Sequence, residues 1–238
     1  MKYQPYIFLA TVFLAISMPL PVFAQDDATA VVADGVNSQK DDDGQYTIFD
    51  DSLLLKGYAN TYRELPKDII LEMIKDDTLN PFKTAAAVKV LREEYGAGIV
   101  SSEKKGVERI LLRRLSRTDS AFVQVQIMHT LCKIDRYRYF QSMVPALIQK
   151  LDHYNSTVNE TAFEALNDLI ESGSNRAREA RIVFNTLRKG LFLSRKRLET
   201  VKEPGPKLRQ KLKLIRWCIK ILGNAELKRL PKEVINLL

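Results

Sequence analysis

The sequence predicts an all-α protein built as an α-solenoid of about four helix pairs. From Leu53 onward, apolar residues recur at three- and four-residue spacing, and no stretch alternates apolar and polar residues over more than a few positions. Four similar segments end at Leu91, Leu131, Leu166 and Leu222, and an amphipathic segment precedes each of them. Because a helix pair that repeats every 35–40 residues or so is typical of an α-solenoid, the repeats predict this architecture.

The repeats also set the predicted domain boundaries. The pairs are expected near residues 66–95, 103–135, 138–172 and 176–223, with a C-terminal cap at 224–238, inside one helical domain of residues 52–238. The first helices of the pairs are predicted from the apolar spacing at residues 66–75, 107–115, 144–151 and 181–201. The last pair is longer than the others because of a long first helix and a turn rich in proline.

The third copy carries a recognisable motif. It reads Pro145-x-Leu147-x-x-x-Leu151-Asp152, followed by Val158-x-x-x-Ala162-x-x-Ala165-Leu166. This pattern resembles the HEAT-repeat family, although Asn159 stands where that family usually has Arg. The resemblance covers about residues 53–223. It implies a right-handed solenoid whose second helices line a concave, partner-binding surface, and it says little about function because such repeats serve many roles.

The N-terminus is typical of a secretory signal peptide. Lys2 precedes the apolar run 7–18, and small residues precede a predicted cut between Ala24 and Gln25. A membrane anchor is the alternative, but spanning needs about 20 apolar residues, so we expect no transmembrane span after cleavage. The protein is therefore predicted to be periplasmic or secreted.

Residues 25–51 are predicted to be a disordered acidic leader. This segment contains eight Asp and one Lys, for a net charge of −7. Its low hydrophobicity and high charge cannot offset the entropy lost on ordering.

The sequence contains no enzyme signature. A P-loop, G-x-S-x-G, H-E-x-x-H and C-x-x-C are all missing. His129 and Cys132 share a helical face but give only two ligands, so no metal, cofactor or catalytic residue is predicted. Cys132 and Cys218 should be free thiols, because second helices two pairs apart lie about 16–20 Å from each other and a disulfide needs Cα atoms within about 7 Å.

The C-terminal quarter of the chain is strongly basic. Residues 176–238 hold 18 basic and five acidic residues, for a net charge of +13. On the last second helix, predicted at residues 207–222, four cations share a face bordered by the only tryptophan: Arg209, Lys213, Arg216 and Lys220, with Trp217. A row of cations beside an aromatic side chain suits an anionic group of a partner.

A second interpretation of this row is ordinary charge pairing. Aligning Leu166 with Leu222 places Glu160 opposite Arg216 and Glu164 opposite Lys220. Such exposed pairs contribute only about 0–1 kcal/mol, and they would neutralise half of the row. Arg209 and Lys213 would stay free in that case.

These observations predict an exported, non-catalytic scaffold or adaptor that binds a protein partner, which could be acidic, along its concave surface. The alternative is a binder of anionic ligands, such as a glycan phosphate, an anionic lipid or a nucleic acid, through the basic C-terminal repeat. Export argues against nucleic acid. The sequence does not identify the partner, the pathway or the oligomeric state.

Overall fold

The structure is a computed structural model that describes residues 52–134, 140–172 and 176–238. The predicted signal peptide (1–24) and acidic leader (25–51) lie outside the described residues.

The described chain is almost entirely helical and contains no strand, which confirms the predicted all-α class. Its α-helices are α1 (Leu53–Tyr62), α2 (Lys67–Lys75), α3 (Pro81–Val90), α4 (Ser101–Arg117), α5 (Ala121–Ile134), α6 (Phe140–Lys150), α7 (Ser156–Ser172), α8 (Arg176–Leu198), α9 (Pro206–Leu222) and α10 (Lys232–Ile235). A π-helical turn, Leu91–Tyr95, extends α3, and a 3-10 helix, Asn224–Arg229, follows α9.

The helices pack in two rows. Row A consists of α2, α4, α6 and α8, and each contacts the next along the row. Row B consists of α1, α3, α5, α7 and α9, which contact one another in the same order. Consecutive helices of the two rows, from α2 with α3 to α8 with α9, also pack together as pairs. The first helix of row B, α1, precedes these pairs and covers one side of α3.

Local sequence explains where several helices begin and end. Asn80 caps α3 by accepting a hydrogen bond from the Phe82 amide at 2.9 Å, and Pro81 occupies the first turn, where its missing N–H costs nothing. Asn155 accepts from the Val158 amide at the start of α7. Gly223 ends α9 with φ of 96°, a conformation that residues with a side chain rarely adopt.

The core lies between the rows and extends into row B. Helix α3 is buried through Ala85, Ala86 and Ala87, whose small side chains let α1 and α5 approach closely. Ten residues of α5 are buried. Cys132 on α5 and Cys218 on α9 are both buried, and neither forms a disulfide, as predicted. Burial raises the pKa of Cys218 to about 12.

One polar contact recurs in three pairs. Thr84, Gln124 and Asn159 each stand seven residues before the aligned leucine of their segment. Each donates a side-chain hydrogen bond to a main-chain carbonyl at the turn before its helix. Thr84 donates to Asn80 at 3.3 Å, with Leu79 at 3.5 Å, Gln124 donates to Thr118 at 2.8 Å, and Asn159 donates to Leu151 at 2.5 Å. The bond from Asn159 is buried, so it gives the Leu151 carbonyl a donor where water has little access. In the fourth pair the position holds Ile215, which is fully buried.

Charged contacts connect successive pairs at these turns. Asp77, between α2 and α3, accepts from Arg114 at 2.5 Å and Arg117 at 2.7 Å of the next pair. Asp152, between α6 and α7, accepts from Lys211 of α9 at 2.5 Å. An acidic residue at the turn of one pair therefore binds a basic residue of the pair that follows.

Candidate charged interaction surface

Helix α9 divides into a buried face and an exposed charged face. Its buried residues are Leu212, Leu214, Ile215 and Cys218. The four predicted cations, Arg209, Lys213, Arg216 and Lys220, are all exposed. Trp217 is partly buried and packs against the hydrophobic core.

Three of these cations contact main-chain oxygens or an aromatic ring. The Nε atom of Arg209 donates to the Pro204 carbonyl at 2.7 Å, in the turn before α9. The ammonium of Lys213 lies 5.3 Å from the ring centroid of Phe163 on α7. Arg216 donates to the main-chain oxygens of Leu238 at 3.1 Å and Leu237 at 3.3 Å.

The alternative pairing of Arg216 with Glu160 does not form. Among the described residues no ion pair joins these two side chains, and Arg216 donates to main-chain oxygens of the last two residues instead. Glu160 and Glu164 are nevertheless exposed on α7. Because Phe163, between them, touches Lys213, the acidic and basic faces adjoin. We call this surface the charged face: Glu160, Glu164, Arg209, Lys213, Arg216, Trp217 and Lys220.

Two other lysines hold α9 against α7. Lys207 donates to the His153 carbonyl at 2.5 Å, and Lys211 pairs with Asp152. The pKa of His153 is lowered by burial first and by the charge of Lys150 second. Both of these lysine contacts lie at the turn between α6 and α7.

The described residues provide no metal centre. Among them no group of three or more His, Cys, Asp or Glu side chains converges to hold an ion. His129 and Cys132 both lie on α5.

Sequence reasoning missed two features of α8. A cavity of about 440 Å³ opens between α6 and the first half of α8, lined by Gln141, Ala177, Arg178, Arg181, Ile182 and Asn185. Further along α8, Phe192 and Leu193 are 53% and 85% exposed. No local signal in the sequence indicated which apolar residues of this helix would stay uncovered.

No family model, no curated protein and no solved structure matches this chain. Within the described ranges, no helix is both long and apolar enough to cross a membrane.

Proposed function

We propose that the protein is an exported, non-catalytic HEAT-like scaffold that binds a protein partner through the charged face. The two-row packing and the side-chain bond repeated at Thr84, Gln124 and Asn159 support a solenoid of HEAT-like pairs. The right-handed sense of that solenoid is part of the proposal.

The observation that carries the binding proposal is that two exposed faces of opposite charge adjoin, one on α7 and one on α9. Stacked helices lie about 8–10 Å apart, and charges in physiological salt act over about 8 Å. A partner on α9 therefore also experiences the carboxylates of α7. A uniformly anionic polymer would be repelled there, whereas a protein segment with both signs of charge can complement both faces.

A photo-crosslinking experiment in the native host tests this proposal. A photoreactive amino acid at position 220 on α9 should capture a defined protein, and one at position 105 on α4 should not. Arg209→Ala with Lys213→Ala should lower the yield of that adduct by roughly 3- to 10-fold, since two exposed charge contacts are lost. Lys105→Ala with Arg109→Ala, which removes two exposed cations from α4, is the matched control and should leave the yield unchanged.

The alternative function is binding of an anionic ligand through the basic C-terminal repeat, favoured by the net charge of +13 over residues 176–238. Glu160→Lys separates the two functions. If the partner is a protein that uses both faces, this change should weaken the crosslink at position 220. If the ligand is a polyanion, the same change should strengthen binding to polyphosphate, and no protein should be crosslinked at position 220 in either chain.

Export is tested independently. The intact mass of protein recovered from the periplasm or medium should correspond to a chain that begins at Gln25. Recovery of a chain that keeps Met1 would contradict the proposed cleavage and export. The crosslinking test of the charged face would then be made with cytoplasmic partners.

A further inference from the structure

The second half of α8 carries an exposed apolar pair surrounded by cations. Leu193 is 85% exposed and Phe192 is 53% exposed. Lys189, Lys196 and Arg197 are exposed on the same part of the helix. The guanidinium of Arg195 lies 4.3 Å from the centroid of the Phe192 ring and donates to the Phe192 carbonyl. No acidic residue occurs between Ala180 and Leu198.

Helix α8 is much longer than the helix beside it in row A. It has 23 residues and α6 has 11, which at 1.5 Å per residue gives about 34 Å against about 16 Å. Gln141 near the start of α6 lies beside residues in the first half of α8, from Ala177 to Asn185. Helix α6 is therefore too short to cover the whole length of α8.

The helix is nevertheless fixed in place along this half. Leu187, Leu191 and Leu198 are buried, and α8 packs along α9. Leu193 is two residues from Leu191, about 200° around the helix axis, so it points away from this packed face. The apolar pair is thus presented outward by an anchored helix.

From this arrangement we propose that the second half of α8 is a membrane-surface docking site for an anionic lipid bilayer. Cations that surround exposed apolar side chains match a bilayer interface, where acidic headgroups take the charges and the acyl boundary takes the apolar groups. Two apolar residues alone insert weakly, and the cations supply the additional attraction. The site is named the α8 lipid patch: Lys189, Phe192, Leu193, Arg195, Lys196 and Arg197.

A bilayer explains this patch better than an anionic polymer does. Phosphate groups of a polymer would satisfy the cations but would leave Leu193 in water. The patch is also convex, whereas a protein groove for a ligand is concave. The α8 lipid patch lies on row A and the charged face on row B, so this proposal does not depend on the proposed function.

Vesicle cosedimentation of the full chain tests the lipid patch. The chain should sediment with phosphatidylcholine vesicles that contain about one third phosphatidylglycerol, and much less with phosphatidylcholine alone. Lys189→Gln with Lys196→Gln should weaken binding roughly 20- to 30-fold, since each cation near an anionic surface contributes about a factor of five. Phe192→Ser with Leu193→Ser should weaken it by about tenfold or more.

Matched controls separate the patch from general effects. Lys105→Gln with Arg109→Gln removes two cations from α4, and Ile69→Ser removes an apolar side chain that is 49% exposed on α2. Both should bind the anionic vesicles within about twofold of the unmodified chain. Every variant keeps the apolar N-terminal run, so its contribution to vesicle binding cancels in the comparison.

Three outcomes would overturn the proposal. The first is equal loss of binding in the control variants. The second is a Phe192→Ser, Leu193→Ser chain that still sediments like the unmodified chain, which would leave a purely electrostatic anion surface. The third is equally tight binding of polyphosphate that also depends on Leu193. If the double serine variant melts early, Leu193→Ser alone repeats the test, because that side chain is almost fully exposed.

Discussion

Replacing Asn159 by alanine tests the side-chain bond that recurs between the helices of a pair. Asn159 is 4% exposed, and its Nδ2 atom donates to the Leu151 carbonyl just past the end of α6. That carbonyl belongs to the last turn of a helix, where acceptors have no partner within the helix. The alanine side chain cannot donate, and the small space it leaves is poorly accessible to water.

The expected cost follows from the burial of the carbonyl. A net contribution of about 1 kcal/mol for the bond is lost, and an unsatisfied buried acceptor costs about 1–3 kcal/mol in total. We therefore expect Asn159→Ala to lower the free energy of unfolding by about 2 kcal/mol. For a domain of this size, that corresponds to a fall in Tm of roughly 4–8 °C.

Urea unfolding followed by circular dichroism gives the measurement, with thermal melting as a second readout. Asn167→Ala on the same helix is the matched control, because Asn167 donates to Glu171 in an exposed bond. This control should change the free energy of unfolding by less than about 0.5 kcal/mol. If the two alanine variants lose the same stability, the recurring bond is not a structural element of the pair.

Two further outcomes follow from the described residues. Cys132 and Cys218 should resist iodoacetamide at pH 8 in the native protein and react fully in denaturant. Both thiols are buried, and the pKa of Cys218 is raised to about 12, so little thiolate is available. Rapid alkylation of the native protein, measured by intact mass, would contradict their burial. Hydrogen bonds from Arg117 first, and from Arg114 second, hold the pKa of Asp77 below its ordinary value of 3.8. The charged carboxylate should therefore stabilise the fold fully above pH 3.8, and this stabilisation should disappear as the pH falls through the lowered pKa. The difference in free energy of unfolding between the unmodified chain and Asp77→Asn should follow the same pH dependence. Urea titrations across the acid range measure this difference in the free energy of unfolding. A difference that is independent of pH would exclude a contribution from the charged carboxylate.

Much of the helical pattern could be predicted because its signals are local. The last second helix was predicted at residues 207–222 and is observed at Pro206–Leu222, since Pro206 and Gly223 mark its two ends. Of the four first helices, α2 was predicted closely, and the other three begin earlier than predicted. Helix α4 begins at Ser101 and not near residue 107, because its first turns are polar and lack apolar periodicity. Helix α1 was recognised as helical but was not assigned to the stack, since no repeated partner precedes it.

The candidate site was predicted less completely. The sequence identified which cations share a face of α9, because a helix places residues three and four apart on one side. The proposed pairing of Glu160 with Arg216 was wrong, because residues 237 and 238, remote in the alignment of the repeats, supply the acceptors for Arg216. Likewise, the contact between Lys213 and Phe163 depends on the packing of α7 against α9 and has no signal in either helix alone.

The sequence by itself determined the all-α class, the order of the helix pairs and the charged residues of each helix face. These properties arise from short-range effects: apolar periodicity, capping side chains and turn residues. Only the tertiary structure decided which of those faces stay uncovered. Leu191 and Leu193 are the same residue type two positions apart, yet Leu191 is buried and Leu193 is exposed, because they point to nearly opposite sides of α8 and only one of those sides is packed. The exposure of a residue depends on which helices pack beside it. The length and position of those helices are not encoded in the residues that stay exposed.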